Sequence, residues 1–264
     1  MIIEFYKYQA TGNDFIIIDD RDNVFDLNDS LLIKSLCERK MGIGADGLIL
    51  LRNHEKYDFR MIYFNSDGLE STLCGNGARC IVSFANLLDI SSLESVFMAI
   101  DGIHEARIID SEVSLKFLDI NKVNYDGDNT VIDSGSPHFI TLKENISDIN
   151  VNLEGAKIRN MDHYKEDGIN VNFIEINNGV KIRTYERGVE SETLSCGTGA
   201  VASAIALYHN EVIEQNSVSL QTKGGDLTVS FDIFNGLYKN IWLTGEVSLV
   251  YIGEFECWKR VIYL

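Results

Sequence analysis

Glu192-Thr-Leu-Ser-Cys196-Gly-Thr-Gly-Ala-Val-Ala-Ser-Ala-Ile-Ala-Leu207 sets a thiol directly ahead of a run of small and apolar residues. The same frame occurs earlier as Glu70-Ser-Thr-Leu-Cys74-Gly-Asn-Gly-Ala-Arg-Cys80-Ile-Val-Ser-Phe-Ala85. Each stretch has a Cys-Gly-x-Gly-Ala core, and each run beyond it suits a buried helix. Each cysteine therefore reads as a thiol at a helix N-terminus, where unpaired N–H groups and the positive dipole end favour a thiolate. The glycines would let another molecule approach the backbone. A lone cysteine is commonly just a small apolar core residue. Two in one local frame, near the middle of each half of the chain, argue for a shared task.

Working outward, the second half repeats the first in order. Gly12-Asn13-Asp14-Phe15-Ile16 corresponds to Gly135-Ser136-Pro137-His138-Phe139-Ile140. The glycine loop Gly42–Gly47 before Leu48 corresponds to Gly168-Ile-Asn170-Val-Asn-Phe173, and Phe59–Asn65 to Val180–Glu186. The predicted fold is α+β: two pseudo-symmetric domains, each a set of β-strands wrapped around a central buried helix. The expected halves are 1–121 and 122–255, with 256–264, including a strand over Trp258 to Tyr263, returning to the first. The polar stretch Asn121 to Thr130 reads as the crossing between them. Gly42–Gly47 also fits a Gly-x-Gly-x-x-Gly pattern. A dinucleotide site needs a strand before that loop and a helix after it, and here the order is reversed. The loop is expected beside the active site.

Composition narrows the function. The chain has 264 residues, 45% of them hydrophobic, enough for a sizeable core. No apolar run can span a bilayer, and Met1-Ile-Ile-Glu-Phe-Tyr-Lys lacks the features of a signal peptide, so a cytoplasmic location is expected. The five cysteines, Cys37, Cys74, Cys80, Cys196 and Cys257, are an odd number without zinc-ligand spacing; no metal is expected, and the thiols should be reduced. A net charge of −17 argues against nucleic acid or anionic membrane as a partner. An anionic substrate group must be held by local donors.

Two similar halves are expected to bring the same element to their seam, a favoured ligand site. One thiolate and one thiol on opposite faces of a carbon can invert a stereocentre: one removes the proton, the other supplies one from behind. Helix N-termini can hold a carboxylate whose charge grows as the carbanion forms. A disulfide-exchange pair would be expected as Cys-x-x-Cys, which is absent. His138 and Glu186, at matched turns, could set the protonation of the thiols. Asn13, Asn65 and Asn170 either cap turns or bind ligand. Arg187 is the best carboxylate clamp, with a surface ion pair as the alternative. Cys37, Cys80 and Cys257 read as packing residues. A different class of reading, a small-molecule binding protein with redox-sensitive thiols, also fits the cysteines.

Gly12-Asn-Asp-Phe15, Asn65-Ser-Asp-Gly68, Cys74–Cys80, Ser136-Pro-His138, Tyr185-Glu-Arg-Gly188, Cys196–Ala200, Gly224-Gly-Asp-Leu227 and Thr244-Gly245 resemble the diaminopimelate epimerase family. The likeness covers nearly the whole chain. It implies epimerisation of an amino acid without pyridoxal phosphate or any other cofactor, in the cytoplasm, by a homodimer. The substrate so implied is diaminopimelate, LL to meso, for lysine and peptidoglycan precursors; relatives of the fold act on histidine or hydroxyproline. The resemblance makes Cys74 and Cys196 the acid–base pair, with His138 and Glu186 in support. It sets Asn13, Asn65, Ser136, Asn170, Glu186, Arg187 and the backbone at Gly75-Asn76 and Gly197-Thr198 around the substrate. Ser136 stands where the family usually has Asn.

Overall fold

The computed structural model describes residues 2–256. Its contacts divide the chain into two units. Among the described residues, one holds those from 2 to 10, Asp14–Arg107 and those from 247 to 256; the other holds Thr11–Asn13 and Ile108–Glu246. Cys257 and the strand expected at Trp258 to Tyr263 lie outside the described residues.

The first unit carries β1 (Ile2–Ala10), β2 (Asn13–Asp19) apart from its first residue, helix α1 (Ser30–Cys37), β3 (Gly47–Arg52), β4 (Phe59–Asn65), helix α2 (Gly75–Leu87), β5 (Glu94–Ala99) and β6 (Gly102–Ile109) as far as Arg107. The second carries β7 (Glu112–Phe117), β8 (Asn124–Asp126), β9 (Asn129–Asp133), β10 (Pro137–Leu142), helix α3 (Val151–Arg159), β11 (Asn170–Ile176), β12 (Val180–Glu186), β13 (Ser191–Thr193), helix α4 (Gly197–His209), β14 (Ser217–Thr222), β15 (Gly225–Phe234) and β16 (Leu237–Glu246). A last strand, β17 (Ser248–Glu256), pairs antiparallel with β1.

The duplication is visible in the pairing. From β2 through β3, β4 and β5 to β6 the pairs run parallel, antiparallel, parallel and antiparallel. From β10 through β11, β12 and β14 to β15 the same order recurs. Each parallel step encloses a crossover, and the second crossover in each unit is the cysteine-led helix. This is the expected α+β fold, strands wrapped around one buried helix in each unit.

Strands covered on both faces need continuous apolar runs rather than alternation, and Phe15-Ile-Ile-Ile18 and Leu48-Ile-Leu-Leu51 supply them. In the first unit Ile16, Ile18, Leu48, Leu50, Ile62 and Phe64 share a core with Ile33 and Leu36 of α1. The opposite face receives α2, whose Gly77 sits over Phe15 and Ile49. In the second unit α3 covers Phe139, Val171, Phe173 and Tyr185, and α4 covers Ile140, Ile174 and Ile182. Helix α4 is buried nearly all round, from Gly197 to Leu207 apart from Thr198. Its alanines allow that close packing.

Two expectations change. Asn121 to Thr130 is not a bare crossing: β8 and β9 form an antiparallel pair there, turning at Gly127. The division falls at 107/108 because β7 joins β16 in register from Ile241↔Phe117 to Glu246↔Glu112. The 121/122 boundary thus lies inside the second unit, and the return to the first begins at Val247. Among the described residues no helix is long and apolar enough to cross a membrane.

Ile205 is fully buried in the second unit's core. Ile205→Ala should lower the unfolding free energy by about 2–5 kcal/mol, the combined cost of lost burial and a cavity. Urea denaturation monitored by far-ultraviolet circular dichroism measures it.

Candidate active site

Both motif cysteines stand at the N-cap of their helices in extended backbone conformation, Cys74 before α2 and Cys196 before α4. Their carbonyls accept the first helical bonds, from Ala78 N at 2.8 Å and Ala200 N at 2.9 Å. The next N–H groups, at Gly75-Asn76 and Gly197-Thr198, have no partner within the helix and point out of its positive end. Cys196 is buried and Cys74 half-buried. The second glycine of each motif has a packing reason that the sequence reading did not foresee. A Cβ at Gly199 would lie 2.6 Å from Asn172 Oδ1, and one at Gly77 would lie 3.0 Å from Ile49 Cδ1. These glycines let the helix settle onto the sheet.

In the second unit the expected residues form two hydrogen-bonded chains that lie side by side. The Arg187 guanidinium donates to Ser136 Oγ at 3.2 Å and to the Asp167 carbonyl at 2.8 Å. Asn170 Nδ2 donates to Ser136 Oγ at 2.8 Å and to the Pro137 carbonyl at 3.0 Å, and its Oδ1 accepts from the Arg187 backbone N–H at 2.9 Å. The parallel register His138↔Asn170 sets the two side by side. His138 Nε2 lies 2.9 Å from Thr198 Oγ1, and that hydroxyl lies 3.4 Å from Cys196 Sγ. The structure therefore brings Ser136, His138, Asn170, Arg187, Cys196, Gly197 and Thr198 together. Glu186 ends β12 beside Arg187. Asn13 also belongs to this unit; it follows Thr11, whose hydroxyl is 2.8 Å from that of Ser195, next to Cys196.

In the first unit, Asn65 ends β4 opposite Gly47 and opens a turn in which its carbonyl accepts from Gly68 N at 2.9 Å. Asn76, in the first turn of α2, is buried, and its Oδ1 accepts from the buried Arg79 at 3.0 Å. The glycine loop before β3 packs on α1: Gly42 N donates to the Glu38 carbonyl and Gly44 N to that of Leu36. Its Asp46 joins Arg39 and Asp14 in an ion cluster that also includes Lys7.

The cysteines divide by environment. Burial pushes the Cys37 thiol up to about 11 and the fully buried Cys80 thiol far up, so both stay neutral, as packing residues should. His138 is fully buried on β10. Burial first, then the Arg187 charge, pushes its pKa down to about 3 from an ordinary 6.5. At neutral pH the ring carries one proton.

Sequence reasoning missed Asn172 and Thr184, both buried. Asn172 Nδ2 lies 2.9 Å from His138 Nδ1, and Thr184 Oγ1 donates to Asn172 Oδ1 at 2.9 Å. The available signal was two asparagines at spacing two, Asn170 and Asn172, on the strand face whose other residues are Ile174 and Ile176. Among the described residues no group of three or more His, Cys, Asp or Glu side chains could hold a metal ion.

Solved structures share this fold at low identity. A phenazine biosynthesis protein of the PhzF family from Bacillus anthracis superposes with a TM-score of 0.74 at 14% identity, covering 97% of this chain and 100% of that one. A hydroxyproline epimerase from Agrobacterium vitis does so with a TM-score of 0.63 at 14% identity, covering 96% and 92%. The fold is thus that of a group that includes racemases and epimerases. The family model described as diaminopimelate epimerase matches residues 5–102 and 130–250. A diaminopimelate epimerase from Flavobacterium psychrophilum is 46% identical over 252 residues, 94% of this chain and 98% of that protein. One from Chlorobaculum tepidum is 41% identical over 256 residues, covering 92% and 98%. The chain belongs to the diaminopimelate epimerase family and is an isomerase.

The depressed pKa of His138 makes a stability prediction. Between about pH 6.5 and 3 the unfolded chain binds a proton at this site that the folded chain does not, so the stability from the neutral buried ring is lost as pH falls through that window. Urea midpoints measured across it should fall less steeply with decreasing pH in His138→Gln than in wild type.

Proposed function

We propose that this protein interconverts LL- and meso-diaminopimelate, with Cys74 and Cys196 as the acid–base pair. The observation that carries the reading is the pair of hydrogen-bonded chains Arg187–Ser136–Asn170 and His138–Thr198–Cys196, side by side, which sets a guanidinium able to bind a carboxylate near a thiol at a helix N-terminus. Whichever cysteine is ionised takes the α-proton. The C–H bond breaks, an S–H bond forms, and the electron pair moves into the α-carboxylate. The helix N-terminal N–H groups stabilise that growing charge. The other thiol then gives its proton to the opposite face of the carbon. The two sulfurs have exchanged protonation states, and solvent resets them. The neutral His138 and the carboxylate of Glu186 orient and tune the thiols. Neither step requires a cofactor.

The remote end of diaminopimelate carries its own carboxylate and ammonium. Two of the five N–H groups of Arg187 are used in bonds to Ser136 and Asp167, which fix the plane of the fork. The fork can still offer paired donors to a carboxylate. Asn13, Asn65, Asn76 and Asn170 supply neutral partners. Ser136 is shorter than the Asn usual in the family, which lowers the hold on that end by about 1 kcal/mol. The reading includes a cytoplasmic homodimer, supported by the family likeness.

Cys74→Ala and Cys196→Ala should each abolish turnover, and Ser at either position should leave slow turnover, because a hydroxyl is a far weaker base near neutral pH. Inversion at the wild-type rate by either Ala variant excludes the two-thiol mechanism. For the substrate, kcat/KM for LL-diaminopimelate should exceed that for L-histidine. Arg187→Ala should reduce it roughly 100-fold, the loss of a two-point charged contact. Faster turnover of histidine, unaffected by Arg187→Ala, overturns the substrate assignment and leaves the thiol chemistry standing.

A further inference from the structure

The side chain of Asn172 is fully buried, and its position bears on where a proton sits. Its Nδ2 lies 2.9 Å from His138 Nδ1 and 3.5 Å from the Phe139 carbonyl, which can only accept. Its Oδ1 accepts from Thr184 Oγ1 at 2.9 Å. The amide is thereby held with its nitrogen toward the imidazole. The register Thr184↔Asn172 across β11 and β12, and Ile140↔Asn172 across β10 and β11, fixes all three side chains on the face that α4 covers. An N–H donor aimed at Nδ1 requires a lone pair there, so the single proton of a neutral ring sits on Nε2. That N–H is 2.9 Å from Thr198 Oγ1. Asn170 Nδ2 is 3.5 Å from the same nitrogen, but its two N–H groups serve Ser136 and Pro137 at 2.8 and 3.0 Å. The Thr198 hydroxyl accepts that ring N–H on one lone pair and keeps its own hydrogen for donation to Cys196 Sγ, 3.4 Å away, a contact in which either atom can be the donor.

We propose that Asn172 is a positioning residue which, by fixing the His138 tautomer, aims the Thr184–Asn172–His138–Thr198 chain of donors at Cys196 and holds that thiol as the ionised base of the resting enzyme. The inference rests on the two-thiol reading for its catalytic meaning, but the direction of the chain is measurable without substrate. Every link donates toward the sulfur. A hydrogen bond to a thiolate favours the charged form, whereas the reverse polarity would favour the neutral thiol. Reversing one link should therefore reverse the effect.

The test is a long-range ¹H–¹⁵N correlation spectrum of the full chain at pH 8, with the ring of His138 assigned by its loss in His138→Gln. Wild type should carry the ring proton on Nε2; a proton on Nδ1 overturns the proposal without any variant. Asn172→Asp is nearly isosteric and accepts where the amide donated, so it should move the proton to Nδ1. Iodoacetamide labelling of Cys196 at pH 7, followed by peptide mass spectrometry, should then slow roughly tenfold, the effect of one lost hydrogen bond to a charged group. Labelling of Cys74 should not change by a comparable factor. A variant ring that keeps its proton on Nε2, or a moved proton with unchanged Cys196 labelling, overturns the proposal. Thr198→Val removes the last link and should slow labelling without moving the ring proton; unchanged labelling there counts against the proposal even if Asn172→Asp fails to fold. Loss of the two-thiol reading would show separately, as epimerisation that survives Cys196→Ala while the tautomer and labelling results stand.

Discussion

A helix leaves its first N–H groups without partners inside itself, and the fold depends on where those ends are put. In each unit the helix that fills the crossover begins at a cysteine, in a frame of two glycines and an alanine. The glycine three residues after Cys196 presses its backbone against Asn172, and its counterpart after Cys74 lies on Ile49 and Phe15. A side chain at either would lift the helix from the sheet and shift the thiol with it. The same residues therefore set helix–sheet distance, dipole direction and the place of the sulfur. In the second unit Ile140, Ile174 and Ile182 form the apolar face on which α4 rests.

Electrostatics at this scale is local. The chain carries a net charge of −17, so a carboxylate group entering it must be held by local donors. Against that background Arg187 is held by Ser136 and the Asp167 carbonyl rather than by a carboxylate, so its positive charge is not cancelled within its own network. By contrast Arg183 and Arg39 are neutralised by Glu192 and by Asp14 and Asp46. The same unneutralised charge helps keep His138 without a second proton, and a neutral ring is what lets its tautomer carry information to a neighbour.

Much of this was legible in the sequence. The paired cysteine frames, the matched Gly-Asn-Asp and Gly-Ser-Pro-His turns and the long apolar strands led to the duplication, the two central helices and the cluster around Ser136, His138, Asn170 and Arg187. What was not legible depends on pairing between distant strands. Helix α3 escaped because Val151-Asn-Leu-Glu-Gly-Ala-Lys-Ile-Arg159 is polar and short, and it forms with Asn150 as its cap and with Tyr185 packed against Gly155. The division at 107/108 follows from β7 joining β16, a pairing no local pattern announces. Asn172 looked like one more residue in a strand until the register set it beside His138.

The central claim is that two thiols, on opposite faces of one carbon, handle one proton each. Early turnover of LL-diaminopimelate in deuterium oxide tests it most directly. A two-base mechanism puts solvent deuterium at the inverted centre of the meso product, while substrate recovered at low conversion keeps its α-hydrogen. Deuterium appearing equally in recovered substrate and product would mean that a single base serves both faces, and would contradict the account.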